Sequence, residues 1–500
     1  MTENIYCHKN GLKHINIIDN EGFSALFVVN TPIFDNSGVA HGVEHMVFRG
    51  STAFPHPETL FQLTSLTDAK INASTFTETT YFHCQSQCEH TFMLAINYLL
   101  NGLFNPIFNA DDLRFEIHDG NNKGVIYQEL IGVEQANQES TKSTEESNKD
   151  TNENEFCYGG ISTSIGELTL NDLTAFHQRF YHASNITLVT ANADMEKIAD
   201  LITLLPKQST QIKVELGKYR TQLQVNAQEN ALDSENTENH QKKYSQEINK
   251  LITLYHLWLQ DPYYQEIDDY KEIENSNKPL ITDTDTLPVL SNSNLIPPLI
   301  TLSNKLVKKA NNKQAIGLAI KNIEIKISAN KTLLPNLFTK LCQQAKNQLT
   351  DNKSISNELN HQRYSAYTSD QRNALWLTAI GVTEKKLANI TSYIISAYPL
   401  FLVPRCQGLC YATQALTIEN SAYLAIYSAF DVNPNTRLKE VPLCLLQLSQ
   451  DKRFISMSLA LAKIKYCRAY QAQSNQVINI TATDISNYLQ VLANNPHPKV

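Results

Sequence analysis

Three features of the sequence predict a fold of mixed strands and helices, an α/β pattern, in two structured regions. Strand-like and helix-like segments alternate from Gly22 to Pro206, and a second, weaker mixture of the two runs from 299 to 500. Between them, residues 221–298 are polar text in which one stretch, KKYSQEINKLITLYHLWL, carries apolar residues near helical spacing. At 500 residues the chain is long enough for two or three domains with cores of their own.

The elements follow in order. SALFVVNTPIF is a near-continuous apolar run, as a buried strand requires, and the segment after Ser37 reads as a helix. INASTFTETTYFHCQ alternates at period two and reads as one strand; HTFMLAINYLLNGLF reads as an amphipathic helix. Residues 134–155, EQANQESTKSTEESNKDTNENE, have no apolar periodicity and cannot bury enough surface to offset ordering, which predicts a disordered insertion. After Phe156, LTLNDLTAFHQRFY has helical spacing and ITLVTAN reads as a buried strand. The first domain is expected to span 1–220, a helical linker 221–298, and a divergent C-terminal region 299–500, the two structured regions being candidates for distant copies of one unit.

Composition excludes several function classes. Lys and Arg number 42 against 50 Asp and Glu, a net charge of −8, and no basic run is long enough to follow a phosphate backbone, so nucleic acid is not expected as a partner. No stretch approaches the ~20 apolar residues of a membrane span, so no membrane partner is expected. MTENIYCHKNGLKHINII has neither an apolar signal region nor an Arg-rich amphipathic segment, and the expected address is cytoplasmic. Nine cysteines are an odd number; the close pairs Cys84/Cys88 and Cys406/Cys410 lack the C-x-x-C spacing of a structural zinc site, and reduced thiols are expected.

The strongest chemical signal is GVAHGVEHMVFRGS. His41 and His45 are four residues apart, so on a helix both imidazoles leave one face and can reach a single ion, with Glu44 beside them. Two histidines and a carboxylate in the order H-x-x-E-H form an inverzincin zinc pattern. The glutamate then lies where it can take a proton from water whose pKa the metal lowers towards roughly 7. The bland alternative is two surface histidines flanking a charged turn, but a chain of this composition shows the pattern by chance roughly 0.02 times. A catalytic zinc needs a third protein ligand, for which GVIYQELIGVEQ supplies a candidate. Isolated histidines are more often satisfied surface or core groups than ligands, so His83, His90 and His118 are set aside.

With these residues in place the sequence resembles the insulinase/pitrilysin family of zinc metallopeptidases. The resemblance is carried by the H-x-x-E-H helix, by Phe48 to Ser51 followed by Pro55, and by Asn72-Ala73 with Thr75; GVIYQEL and RFYHASN extend it. It implies an α+β fold, an αβ-roll in which an antiparallel sheet is packed with helices, and one Zn2+ per chain held by His41, His45 and Glu129. The long gap from His45 to Glu129 and the segment from Leu287 to Pro298 look most like the presequence protease branch, which implies short unstructured peptides as substrates. By the same resemblance Arg405 and, six residues on, Tyr411 reach the scissile carbonyl, where a guanidinium and a phenol can stabilise an oxyanion. The strand at Asn72 and Ala73 lies beside the active helix in the family, and its edge can pair with an extended peptide.

The sequence also departs from the family. The usual glycine pair beside the tyrosine is reduced to Gly408, and Asn122 stands where some relatives carry an acid seven residues before the third ligand. Glu116 and Asp119 are the candidates for a carboxylate behind the zinc ligands. The expected function is a zinc endopeptidase with Glu44 as general base; the alternative is a weak or inactive insulinase-like subunit that binds peptides or serves assembly. Half the length of a four-domain family member, the chain is also a candidate homodimer. A purely structural zinc protein fits poorly, because two histidines and a glutamate leave a coordination position open.

Overall fold

The computed structural model describes residues 3–18, 22–141, 156–205, 299, 302, 333–355, 365–418, 422–470, 477 and 479–494. The expected linker 221–298 and most of the expected insertion, 142–155, lie outside these residues.

In the N-terminal region six strands form one sheet: β1 (Glu3–Cys7), β2 (Lys13–Ile17), β3 (Phe23–Asn30), β4 (Lys70–Thr75), β5 (Thr79–Ser86) and β6 (Ile186–Ala191). Their order is β1-β2-β6-β3-β5-β4. Every pairing is antiparallel except β2 with β6, which is parallel. The apolar run that predicts β3 is explained by its central place, since Ala25 to Val29 are all buried.

Against this sheet and one another pack α1 (Val39–Arg49), α2 (Thr59–Leu66), α3 (Glu89–Phe104), α4 (Ala110–Glu116), α5 (Val125–Thr141), the short α6 (Ser162–Ile165), α7 (Leu170–Phe180) and α8 (Met195–Thr203). The segment INASTFTETTYFHCQ is a hairpin, not one strand. Phe76 N–H bonds to the Thr79 carbonyl, and β4 folds back onto β5 with Asn72 opposite His83. The alternation persists through this turn, and no Gly or Pro marks it. Helix α7 starts on a reciprocal capping box between Thr169 and Asp172.

The C-terminal region comprises α9 (Leu333–Ile355), β7 (Ser365–Ser369), β8 (Ala374–Ala379), α10 (Lys385–Ala397), α11 (Pro399–Cys406), β9 (Ala412–Ile418), β10 (Tyr423–Ala429), α12 (Pro434–Gln450), α13 (Lys452–Ala469) and α14 (Ala482–Ala493). Its four strands form an antiparallel sheet in the order β7-β8-β10-β9.

The regions share one hydrophobic core, in which Phe27, Phe82 and Leu99 of the first are continuous with Trp376, Ile394 and Phe454 of the second. Polar contacts lock the seam where α10 and α13 meet α2. The Gln62 amide donates to the Ala397 carbonyl, Lys465 Nζ to the Thr64 carbonyl, and Arg468 pairs with Asp68 at 2.7 Å. All nine cysteines are free thiols. Among the described residues no single helix is long and apolar enough to cross a membrane.

Candidate metal centre

The site is built on α1. Ala40, Val43, Met46 and Val47 turn into the core, which leaves His41 and His45 on the other face, one turn apart. Their rings meet edge to face with centroids 4.7 Å apart.

Each ring is held through Nδ1. His41 Nδ1 donates to the Gly159 carbonyl at 3.0 Å, an oxygen that can only accept. His45 Nδ1 donates to Glu116 Oε1 at 2.8 Å. In both rings the Nε2 lone pair is therefore left for another partner. The Gly159 carbonyl is brought there by a loop that crosses the N-terminus of α1 closely: a side chain on Gly160, at φ 82°, would meet Gly38 Cα at 2.7 Å. Asn36 accepts from Cys157 N–H and Glu134 of α5 from Ser162 N–H, so one loop fastens both helices that carry the candidate ligands.

Helix α5 brings Glu129 opposite the two rings. Its Oε2 lies 3.7 Å from His41 Nε2 and 3.8 Å from His45 Nε2. That oxygen is shut off from solvent and accepts no hydrogen bond from a described residue. An orphaned buried carboxylate oxygen is costly, and a cation would satisfy it. The three donor atoms lie within 4.8 Å of one another. A tetrahedral zinc with nitrogen and oxygen ligands at ~2.0–2.2 Å needs donors roughly 3.4 Å apart, so a small contraction fits the set to the ion.

Glu44 is buried on the same helix, and Thr75 Oγ1, at the end of β4, donates to its Oε2 at 2.5 Å. Burial raises the Glu44 pKa; the two histidines and the Thr75 hydroxyl pull it back without cancelling the rise.

Behind His45 sits Glu116, the last residue of α4, only 1% exposed. Arg405 grips both of its oxygens, Nη1 to Oε2 at 2.9 Å and Nη2 to Oε1 at 2.8 Å, while Arg49 Nη1 approaches Oε2 at 3.4 Å. Burial opposes the charge on Glu116, but the Arg405 guanidinium, the His45 hydrogen bond and Arg49 together hold its carboxyl far below the usual carboxylate range. Of the two candidates for a carboxylate behind the ligands, Glu116 takes the place. Asp119 is a turn residue, accepting from the backbone N–H groups of Asn121 and Lys123.

The other expected site residues are placed as follows. Asn72 and Ala73 lie on β4, the edge of the sheet, and the Asn72 side chain accepts from Ala73 N–H at 2.9 Å. Arg405 is placed differently from the expectation: its terminal nitrogens are engaged on Glu116, because a buried carboxylate binds a guanidinium fork bidentately. Tyr411 packs its ring 5.8 Å from that of Phe430, which in turn covers Gly132 of α5, three residues beyond Glu129. The sequence reading assigned no part to Thr75, Arg49 or the Gly159 carbonyl. Thr75 and Arg49 left a trace, as parts of the family pattern; a backbone carbonyl leaves none.

Residues 34–151, which contain α1 to α5, match the family model of insulinase, peptidase family M16. The mitochondrial presequence protease of Kluyveromyces lactis is 30% identical over 206 residues, 38% of this chain and 20% of that protein. An uncharacterized protein of Borreliella burgdorferi is 27% identical over 177 residues, 34% of this chain and 18% of that one. The chain thus covers about a fifth of the length of these relatives. A crystal structure of a peptidase M16 inactive domain from Pseudomonas fluorescens covers 98% of this chain and 94% of its own at 12% identity; its TM-score, 0.32, is too low to carry an argument. It is thus through the segment that bears both histidines and Glu129 that the chain is similar to the insulinase family.

Proposed function

We propose that the protein is a zinc-dependent endopeptidase acting on short unstructured peptides, in the manner of the presequence protease branch. The observation that carries this reading is the buried, unpartnered Glu129 Oε2 facing two imidazole nitrogens whose rings are each held from behind. His41, His45 and Glu129 would hold the metal, which when bound supplies Lewis acidity towards a carbonyl oxygen and towards water.

The residues of the chain do the rest. An extended peptide adds to the free edge of β4 at Asn72 and Ala73, and the Asn72 amide must release Ala73 N–H for that pairing. Glu44 takes the proton of the attacking water on its carboxylate and delivers it to the leaving amine nitrogen. The Thr75 hydroxyl holds that carboxylate from one side, so it cannot swing away between the two transfers. Tyr411 is retained as a donor to the developing oxyanion, whereas Arg405, occupied by Glu116, is given no contact with substrate.

The test is cleavage of a mixture of unstructured peptides, read by mass spectrometry with a chelator control. Wild type should cleave and the chelator should stop it. Glu44→Gln should keep its zinc and lose ~10²–10⁴-fold in turnover. Undiminished cleavage by zinc-loaded Glu44→Gln would exclude this mechanism, and a zinc-loaded wild type that binds peptides without cutting them would favour the inactive-subunit alternative.

A further inference from the structure

Glu116 is held from two directions. Through Oε1 it accepts from His45 Nδ1, and through both oxygens it accepts the fork of Arg405, a residue of the other region of the chain. The second cation nearby, Arg49, is occupied elsewhere: its Nε and Nη2 donate to Asp112 at 2.9 and 2.6 Å, and only Nη1 reaches Glu116. Two short parallel bonds fix a carboxylate's plane, whereas one long bond does not. It is therefore Arg405 that sets how Glu116 faces the imidazole.

Arg405 is in turn locked in place. It lies in the last turn of α11, its guanidinium lies 5.2 Å over the Phe61 ring, and the chain turns at Gly408, where φ is 69°. A side chain on Gly408 would strike the Phe115 carbonyl at 2.1 Å, and the Gly408 carbonyl accepts from Gly124 N–H at 3.0 Å. The turn is thus seated between the residue before Glu116 and the residue before α5, which carries Glu129. The single glycine left in this stretch stands where the two regions touch, backbone against backbone.

We propose that Arg405 is a positioning residue of the metal centre: it orients Glu116, Glu116 orients the His45 ring, and the C-terminal region thereby sets the affinity of the N-terminal site. This rests on the reading of His41, His45 and Glu129 as zinc ligands. Partners behind a ligating histidine fix its tautomer and ring plane, and their loss typically weakens metal binding about 10–100-fold.

Zinc affinity of the full chain is measured by competition with a chromogenic chelator, with folding checked by circular dichroism. Arg405→Met should weaken zinc about 10–100-fold, and Arg405→Lys, which keeps the charge but loses the fork, should also weaken it. Should Arg405→Met not fold, the lysine variant carries the comparison. In a Glu116→Gln background Arg405→Met should cause little further loss. Arg468→Met, which removes the Asp68 ion pair at the same seam, should leave affinity within about twofold. Unchanged affinity in both Arg405 variants overturns the proposal, as does an equal loss with and without Glu116 or an equal loss in Arg468→Met. A wild-type chain that takes up no zinc overturns the metal reading itself, and is told apart because no variant is needed to see it.

Discussion

Gly102→Ala tests how α3 holds the motif helix. A Cβ at Gly102 would stand 2.7 Å from the Val47 carbonyl oxygen of α1 and 3.0 Å from Val47 Cγ1. The oxygen belongs to the backbone, so no rotamer change relieves the contact. To reach an ordinary carbon–oxygen separation of about 3.3 Å, the helices must part by roughly 0.6 Å. Overpacking of this kind costs ~1–3 kcal/mol, and the gain in helix propensity over glycine returns up to ~1 kcal/mol. With a rigid atom on both sides the net should be a loss of about 1–2 kcal/mol. For a unit of more than 300 residues around one shared core, at ~2.1 cal/mol/K per residue, that is a melting point lowered by roughly 1–3 °C, measured by circular dichroism. Because α1 moves as a body against α5, zinc affinity and peptide turnover should fall together, turnover by about 10-fold. A raised melting point, as propensity alone would give, would refute the packing argument.

Three further outcomes are expected. Thr75→Val removes the hydroxyl on Glu44 while keeping its bulk; zinc content should not change and turnover should fall about 10-fold or more, and unchanged turnover would deny Thr75 a part in holding the base. Burial pushes the Cys410 and Cys444 thiols up to about 12 from an ordinary value near 9. The unfolded chain then binds fewer protons above pH 9, so this contribution to stability is complete below pH 9 and drains away as pH climbs towards 12; urea midpoints at pH 8 and 10.5 should differ less in Cys444→Ala than in wild type. Finally, zinc at ~100-fold above its dissociation constant should stabilise the fold by about 2.7 kcal/mol, and His41→Ala should abolish that stabilisation in a thermal melt.

How much of this was legible depended on how local each feature is. His41, Glu44 and His45 sit within one and a half turns, where helical spacing alone decides the geometry. Glu129 is far along the chain: the need for a third ligand leads to GVIYQELIGVEQ, and the resemblance to a known family singles out Glu129 within it. Glu116 was a bare candidate, since nothing in its neighbours announces a carboxylate that will meet an arginine nearly three hundred residues later. The β1–β2 hairpin carries a local signal of its own, the Asn10–Gly11 pair at its turn, with Gly11 at φ 92°. The parallel pairing of β2 with β6 joins residues some 170 positions apart, a distance over which periodicity carries no information. For Arg405 the spacing from Tyr411 points to a substrate contact, whereas the buried Glu116, which no local pattern announces, takes up the guanidinium.

A zinc-edge anomalous difference map from crystals grown with the metal tests the central claim most directly. The account predicts one peak, ~2.0–2.2 Å from His41 Nε2, His45 Nε2 and the Glu129 carboxylate. Anomalous density elsewhere, with Glu129 turned away from the two rings, would contradict it.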